Sequence, residues 1–169
     1  MDYMNIQYMY TGSLTMEVDV LPVKDSEIDE VIQMITIVAK DELRFPEEAL
    51  FEYNRPERIS KNIIMSARDR ENRSLLGVLA CLPPEGGVMT ILWLIVSPEY
   101  RKHGIGSILL DAACGIAINS GCHKIKLTTN SKEAVNFYKK KGMIIEGVLK
   151  NHWWHMDFWS MGKFLNKER

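Results

Sequence analysis

The chain has 169 residues, 46% of them hydrophobic and 25% charged, with a formal net charge of −1; this is the balance of a globular domain with a sizeable core, not of a disordered or fibrous chain. So even a charge draws the whole molecule neither to nucleic acid nor to an anionic membrane, and any basic site has to be local. No apolar run approaches the ~18 residues of a membrane span, and the N-terminus lacks the basic start, apolar core and small-residue cleavage site of an export signal.

The three cysteines, Cys81, Cys114 and Cys122, have no paired metal-ligand spacing and read as reduced, buried thiols of a cytoplasmic protein. Residues 1–14 are rich in Met and Tyr but aperiodic and are expected to form an irregular arm, leaving residues 15–169 as a single domain. A strand follows where Met16, Val18 and Val20 alternate with polar residues. Ser26 with Asp29 resembles a capping box, and Ile28, Val31, Ile32, Ile35 and Ala39 repeat at helical spacing behind it. A second helix is predicted from Pro46, with Glu47 and Glu48 at the positive end of its dipole, ending near Asn54 to Pro56.

The period then changes to two. "NIIMSAR", "LLGVLACLP" and "GVMTILWLIVS" predict three antiparallel strands separated by "DRENRS" and "PPEGG". A helix starting at Gly104 carries Ile105, Ile108, Leu109, Ala112, Ala113 and Ile116 on one face and closes at Gly121. "KIKLTT" alternates as a strand. Asn130 with Glu133 looks like the cap of a short helix lined by Ala134, Phe137 and Tyr138 and ending at Gly142, and the tail reads as two strands around a turn. There is no repeat and no linker.

The stretch "VSPEYRKHGIGSILL" joins the end of a buried strand to the mouth of a helix, where unpaired amides and the positive end of the dipole converge. Gly104 and Gly106 leave the main chain bare, while Arg101, Lys102 and His103 add positive charge, so a pyrophosphate is the expected ligand. The plainer alternative is a turn that uses glycine only for its φ angles. Two other nucleotide motifs are excluded: no Walker A loop is present, and Leu109 stands where a dinucleotide fingerprint wants glycine or alanine.

This stretch resembles the acyl-coenzyme A signature of the GNAT superfamily of N-acetyltransferases, Arg or Gln, two residues, Gly, one residue, then Gly or Ala, which Arg101, Gly104 and Gly106 match. "TNSKEAVNFYKKKGM" is similar to the same family's later strand-to-helix segment, and the resemblance covers roughly Leu75 to Lys163. It implies an α/β (α+β) fold: a mixed, mostly antiparallel sheet of about six to seven strands with about four flanking helices, splayed into a V between two central strands. It also implies acetyl-CoA in that V, its pantetheine on the backbone of Leu94, Ile95 and Val96 and its pyrophosphate on the turn formed by Arg101, Lys102, His103, Gly104, Ile105, Gly106 and Ser107. Asn130 and Asn136 would line the pantetheine or nucleotide arm, and Tyr138 would protonate the departing thiolate; by itself, Tyr138 also reads as a core aromatic, and Asn130 as a cap.

The implied activity is transfer of an acetyl group to a primary amine of a small molecule or protein, the alternative being a silent acyl-CoA-binding module of the same fold. Many family members carry an acid on the strand equivalent to Met89–Val96, where this chain has only Thr90 and Trp93. Glu52, His152, His155 and Asp157 are the candidate bases, and Glu52, Trp93 and Trp154 the candidate acceptor contacts. The clustered Trp153, Trp154, Phe158 and Trp159 suit either an acceptor wall or a core and homodimer interface. His152 and His155 lack the partners of a metal site, so none is expected.

Overall fold

The structure is a computed structural model that describes residues 6–10 and 16–165. Strands β1 (Ile6–Tyr10), β2 (Met16–Pro22), β3 (Ile63–Asp69), β4 (Leu75–Cys81), β5 (Val88–Val96), β6 (Lys124–Thr129), β7 (Ile144–Leu149) and β8 (Phe158–Phe164) form an eight-stranded sheet in the order β1-β2-β3-β4-β5-β6-β8-β7. Only β5 and β6 pair in parallel; the other neighbours are antiparallel. The strand beyond the expected six or seven is β1, which pairs with β2 inside the arm read as irregular; the rest of that arm, residues 1–5 and 11–14, lies outside the described residues.

Helices α1 (Ile28–Asp41), α2 (Glu47–Tyr53), α3 (Pro56–Ile59), α4 (Ile105–Asn119) and α5 (Lys132–Lys140) cover the sheet. The added short helix, α3, begins at Pro56, a residue preorganised for a first helical position. α1 does not start from a Ser26 cap. A 3-10 turn at Asp25–Glu27 precedes it, and the Glu27 carboxylate accepts the Lys24 N–H at 2.9 Å, so the chain is already coiling before Ser26. Among the described residues no helix is long and apolar enough to cross a membrane.

Two cores form, one on each face. α4 and α5 bury Ile105, Leu109, Ala113, Val135 and Tyr138 against Leu79, Met89, Ile91, Ile125 and Met161. The first three helices bury Val31, Ile35, Leu50 and Ile59 against Ile64, Val78, Ala80, Trp93 and Ile95. Each large aliphatic side chain so buried contributes about 1.5–3 kcal/mol.

The side chains of β5 change faces midway. Ala80 pairs with Trp93 but Cys81 with Ile91, leaving Leu92 as an extra residue in a bulge. Met89 and Ile91 therefore belong to the first core, and Trp93 and Ile95 to the second. Gly77 of β4 lies under this part of β5: a Cβ there would come within 2.8 Å of the Ile95 carbonyl oxygen, so the close approach of strands and α4 demands glycine.

β5 and β6 pair only from Val88–Lys124 to Thr90–Lys126, although β5 continues to Val96 and β6 to Thr129. The two strands part beyond Thr90, which is the V that the resemblance implies. β8 lies between β6 and β7, closing the far side of the sheet.

Candidate functional site

Where β5 and β6 part, a cleft of about 1290 Å³ opens, lined from the first face by Gly104, Gly106, Ser107, Ala134, Phe137 and Tyr138 and from the second by Phe45, Trp93, Trp154 and Phe158. It exceeds the few hundred to about 1,000 Å³ of most ligand pockets and suits an extended ligand with a second molecule beside it.

One mouth is built by the start of α4. Gly104 is the N-cap residue at φ 82°, a left-handed conformation costly for any side chain. The amides of Ile105, Gly106 and Ser107 follow in the first turn, where no intrahelical acceptor exists, at the positive end of a helix of 15 residues. A Cβ on Gly106 would sit 3.5 Å from Phe137 and 3.7 Å from Leu94, both cleft-lining, so any side chain here would project into the cleft. This bare cradle fits a pyrophosphate.

Arg101 lines the cleft and is held there by two partners. Its Nη2 lies 2.6 Å from Glu42 Oε2, and its Nε donates to the Val96 carbonyl at 3.3 Å, so its charge is matched and its fork ties the end of α1 to the end of β5. The cation left at the turn is Lys102, which lines the cleft. His103 is exposed and Ile105 is in the core at 1% exposure; neither lines the cleft.

Leu94, Ile95 and Val96 all line it. The Ser97 N–H donates to Leu76 O across the β4–β5 ladder, and the alternation of an antiparallel pair then turns the backbone groups of Ile95 toward β4 and those of Leu94 and Val96 into the gap. The Val96 carbonyl meets Arg101 there. Leu94 is thus the residue whose N–H and C=O face the cleft at mid-depth.

Tyr138 is 7% exposed and lines the same wall, its ring edge-on to Phe137 with centroids 5.0 Å apart. Burial, with nearby Cys81 adding to it, raises the phenol pKa, so the hydroxyl keeps its proton through the neutral range. Asn136, two residues before it and on the exposed side of α5, is not in the lining. Asn130 is in the lining but does not cap α5: Ser131 Oγ accepts the Ala134 N–H at 3.2 Å. The Asn130 amide instead donates to Leu43 O at 3.1 Å and to Met156 Sδ at 3.4 Å, joining β6 to the segments on both sides of the cleft.

On the second face the aromatic tail folds over the opening. His152, Trp153 and Trp154 line the cleft, whereas His155 and Asp157 do not. His155 Nδ1 is 3.1 Å from Asn151 Oδ1, and Asp157 accepts from Lys150 at 2.6 Å and from the Asn151 N–H at 2.9 Å, so both shape the loop. The Lys150 contact first, and then the Asn151 N–H, hold the Asp157 carboxyl below its usual pKa. Glu52 stands exposed on α2, paired with Arg55 and outside the cleft lining, because helix periodicity turns it away from the sheet. Sequence reasoning missed Phe45, an apolar residue just before Pro46 in the α1–α2 connection, and Phe137 as a wall of the cradle. The signal for Phe45 was a pair of large apolar side chains, Leu43 and Phe45, in the short turn after α1. Among the described residues no three His, Cys, Asp or Glu side chains cluster as metal ligands would.

The model of the acetyltransferase (GNAT) family matches residues 30–143. A thialysine N-epsilon-acetyltransferase of Mus musculus is 37% identical over 51 residues, a stretch that spans 29% of this chain and only 30% of that protein. Among solved structures, an acetyltransferase of GNAT family from Staphylococcus aureus Mu50 superposes with a TM-score of 0.72 at 20% identity, over 88% of this chain and 99% of that one. An aminoglycoside 6'-N-acetyltransferase complexed with coenzyme A superposes at 0.70 and 19% identity, over 89% and 98%. At these identities the structures show the shared fold.

Proposed function

The chain belongs to the GNAT family of acetyltransferases, and from that premise we propose that it transfers an acetyl group from acetyl-CoA to a primary amine by direct attack on the thioester. The observation that carries this reading is the cleft through the split sheet, with a bare helix mouth at one end, an aromatic opening at the other and a buried phenol on its wall. Acetyl-CoA, the family's cosubstrate, supplies the activated thioester. The α4 amides and Lys102 bind its pyrophosphate, and the Leu94 backbone holds the pantetheine. The Leu94 N–H also faces the place where negative charge develops on the acyl oxygen, an amide fixed before reaction and needing no reorganisation. Tyr138 holds at Oη the proton that the departing sulfur takes.

An ammonium with a pKa near ~10 must lose a proton before it attacks. β5 offers no carboxylate for this, and Glu42 is paired with Arg101; His152, the histidine that lines the cleft, accepts the proton directly or through water. The free cysteines, Cys81, Cys114 and Cys122, fit a reducing compartment, the cytoplasm. A second copy would meet the protein at the free edge of the sheet, where Ile144 and Val148 of β7 are exposed.

Release of free coenzyme A thiol, screened over a panel of amines and peptides, tests the reaction. Tyr138→Phe keeps the ring and removes the acid, so single-turnover transfer should fall by about 10² to 10⁴-fold with acetyl-CoA affinity unchanged. Wild-type transfer by that variant removes Tyr138 from the chemistry. Acetyl-CoA binding without thiol release for any amine leaves a binding module.

A further inference from the structure

We infer that the acceptor is a monoamine carried on an aromatic or similarly broad apolar body, and that polycationic amines are poor acceptors; this rests on the acetyl-transfer reading and concerns only the second-face half of the cleft. Four separate segments bring six rings together there. Phe45 is the hub, with centroids 5.8 Å from Trp93, 4.9 Å from Trp154 and 6.2 Å from Phe158. His152 lies 5.5 Å from Trp153 and 5.8 Å from Phe158, and Trp153 lies 5.6 Å from Trp154.

The backbone is strained to make this wall. Trp154 stands at φ 49° and ψ 41°, between Asn151 at φ 48° and His155 at φ 62°, none of them glycine. Such residues are costly and persist only where the surroundings over-determine them. Here the strain delivers the Trp154 ring to Phe45, across the mouth of the cleft.

Charge points the same way. Among the described residues, His152 and the tyrosines apart, the ionisable side chains lining the whole cleft are Arg58, Lys61, Arg101, Lys102 and Lys126 against Glu42 and Glu133. Glu42 is taken by Arg101 at 2.6 Å, and Glu133 belongs to α5 on the opposite face. A second ammonium on the acceptor would lose its water among rings and exposed lysines with no carboxylate to receive it. One ammonium is different: it can approach the ring faces before it loses its proton. The rings also offer an aromatic body favourable offset or edge contacts.

The test compares 2-phenylethylamine with spermidine, by transfer and, with coenzyme A present, by tryptophan fluorescence, which reads binding without chemistry. Phenylethylamine should bind and be acetylated with kcat/KM at least about tenfold above spermidine, the worth of one or two ring contacts. Trp154→Ala and the milder Phe45→Leu should each lower phenylethylamine affinity several-fold while leaving acetyl-CoA affinity unchanged. Lys126→Glu, on the exposed face of β6, should raise spermidine use. Spermidine preferred by the wild-type protein, equal losses for both amines in Trp154→Ala, or binding of neither amine overturns the inference. Faster transfer to spermidine would do so with the acetyl-transfer reading intact, whereas selective phenylethylamine binding without any transfer would remove that reading and leave the acceptor class standing.

Discussion

Tyr138 and Cys81 share a dry patch of the first core, and burial acts on both in the same direction. It pushes the Cys81 thiol from an ordinary 9.0 up to about 12 and raises the Tyr138 phenol as well. An unfolded chain releases both protons around pH 9–10, but the folded one does not, so their burial costs nothing below that range and progressively favours unfolding as pH rises through it. Urea midpoints should therefore hold steady from pH 7 to 8.5 and fall between pH 9 and 11. Tyr138→Phe should flatten part of that fall, since it keeps the ring and removes one of the groups, with Cys81, Cys114 and Cys122, whose pKa burial raises. A slope identical to that of the wild type would mean that the phenol reaches solvent in the folded protein. In the proposed mechanism a protonated Oη is what the donor needs, and burial extends that protonation to higher pH.

Two glycines that the sequence presents alike have different work at the scale of elements. At Gly77 an added methyl would meet the backbone oxygen of Ile95 at 2.8 Å, a contact that no side-chain rotation relieves, and the side chains of Leu109 at 3.0 Å and Ile105 at 3.3 Å. Gly77→Ala should therefore destabilise the fold by about 1–3 kcal/mol, read as a lower denaturation midpoint. At Gly106 the nearest atom to a Cβ would be 3.5 Å away, so the fold accepts a side chain that the cleft does not. Gly106→Val should leave the midpoint unchanged and abolish acetyl-CoA binding measured by calorimetry; unchanged binding would move the phosphate site away from α4. The distinction was illegible in the sequence, because close packing depends on which strand lies over the glycine. The bulge at Leu92 was equally hidden, since "ILWLIV" is apolar throughout and a change of face leaves no mark in such a run.

At the scale of the whole molecule, the Asn130 amide, just past β6, ties that end of the split sheet to Leu43 beside Phe45. Asn130→Ala removes a contact worth about 1 kcal/mol and frees the α1–α2 connection, so the KM for the amine should rise several-fold while acetyl-CoA affinity holds. A loss confined to acetyl-CoA would show that Asn130 serves the other half of the cleft. The sequence by itself determined the order of strands and helices from β2 onward except for α3, the bare turn at Gly104 and Gly106 and the placing of Tyr138 on α5, because periodicity and turn chemistry are written in neighbouring residues. Only the tertiary structure decided that Arg101 spends its charge on Glu42, that Ser131 rather than Asn130 caps α5, that Glu52 faces away, and that Phe45 meets Trp93, Trp154 and Phe158. Ion pairs and ring contacts join residues far apart in the chain, and which loops meet is set by how the split sheet brings its edges together, a property that no local spacing encodes.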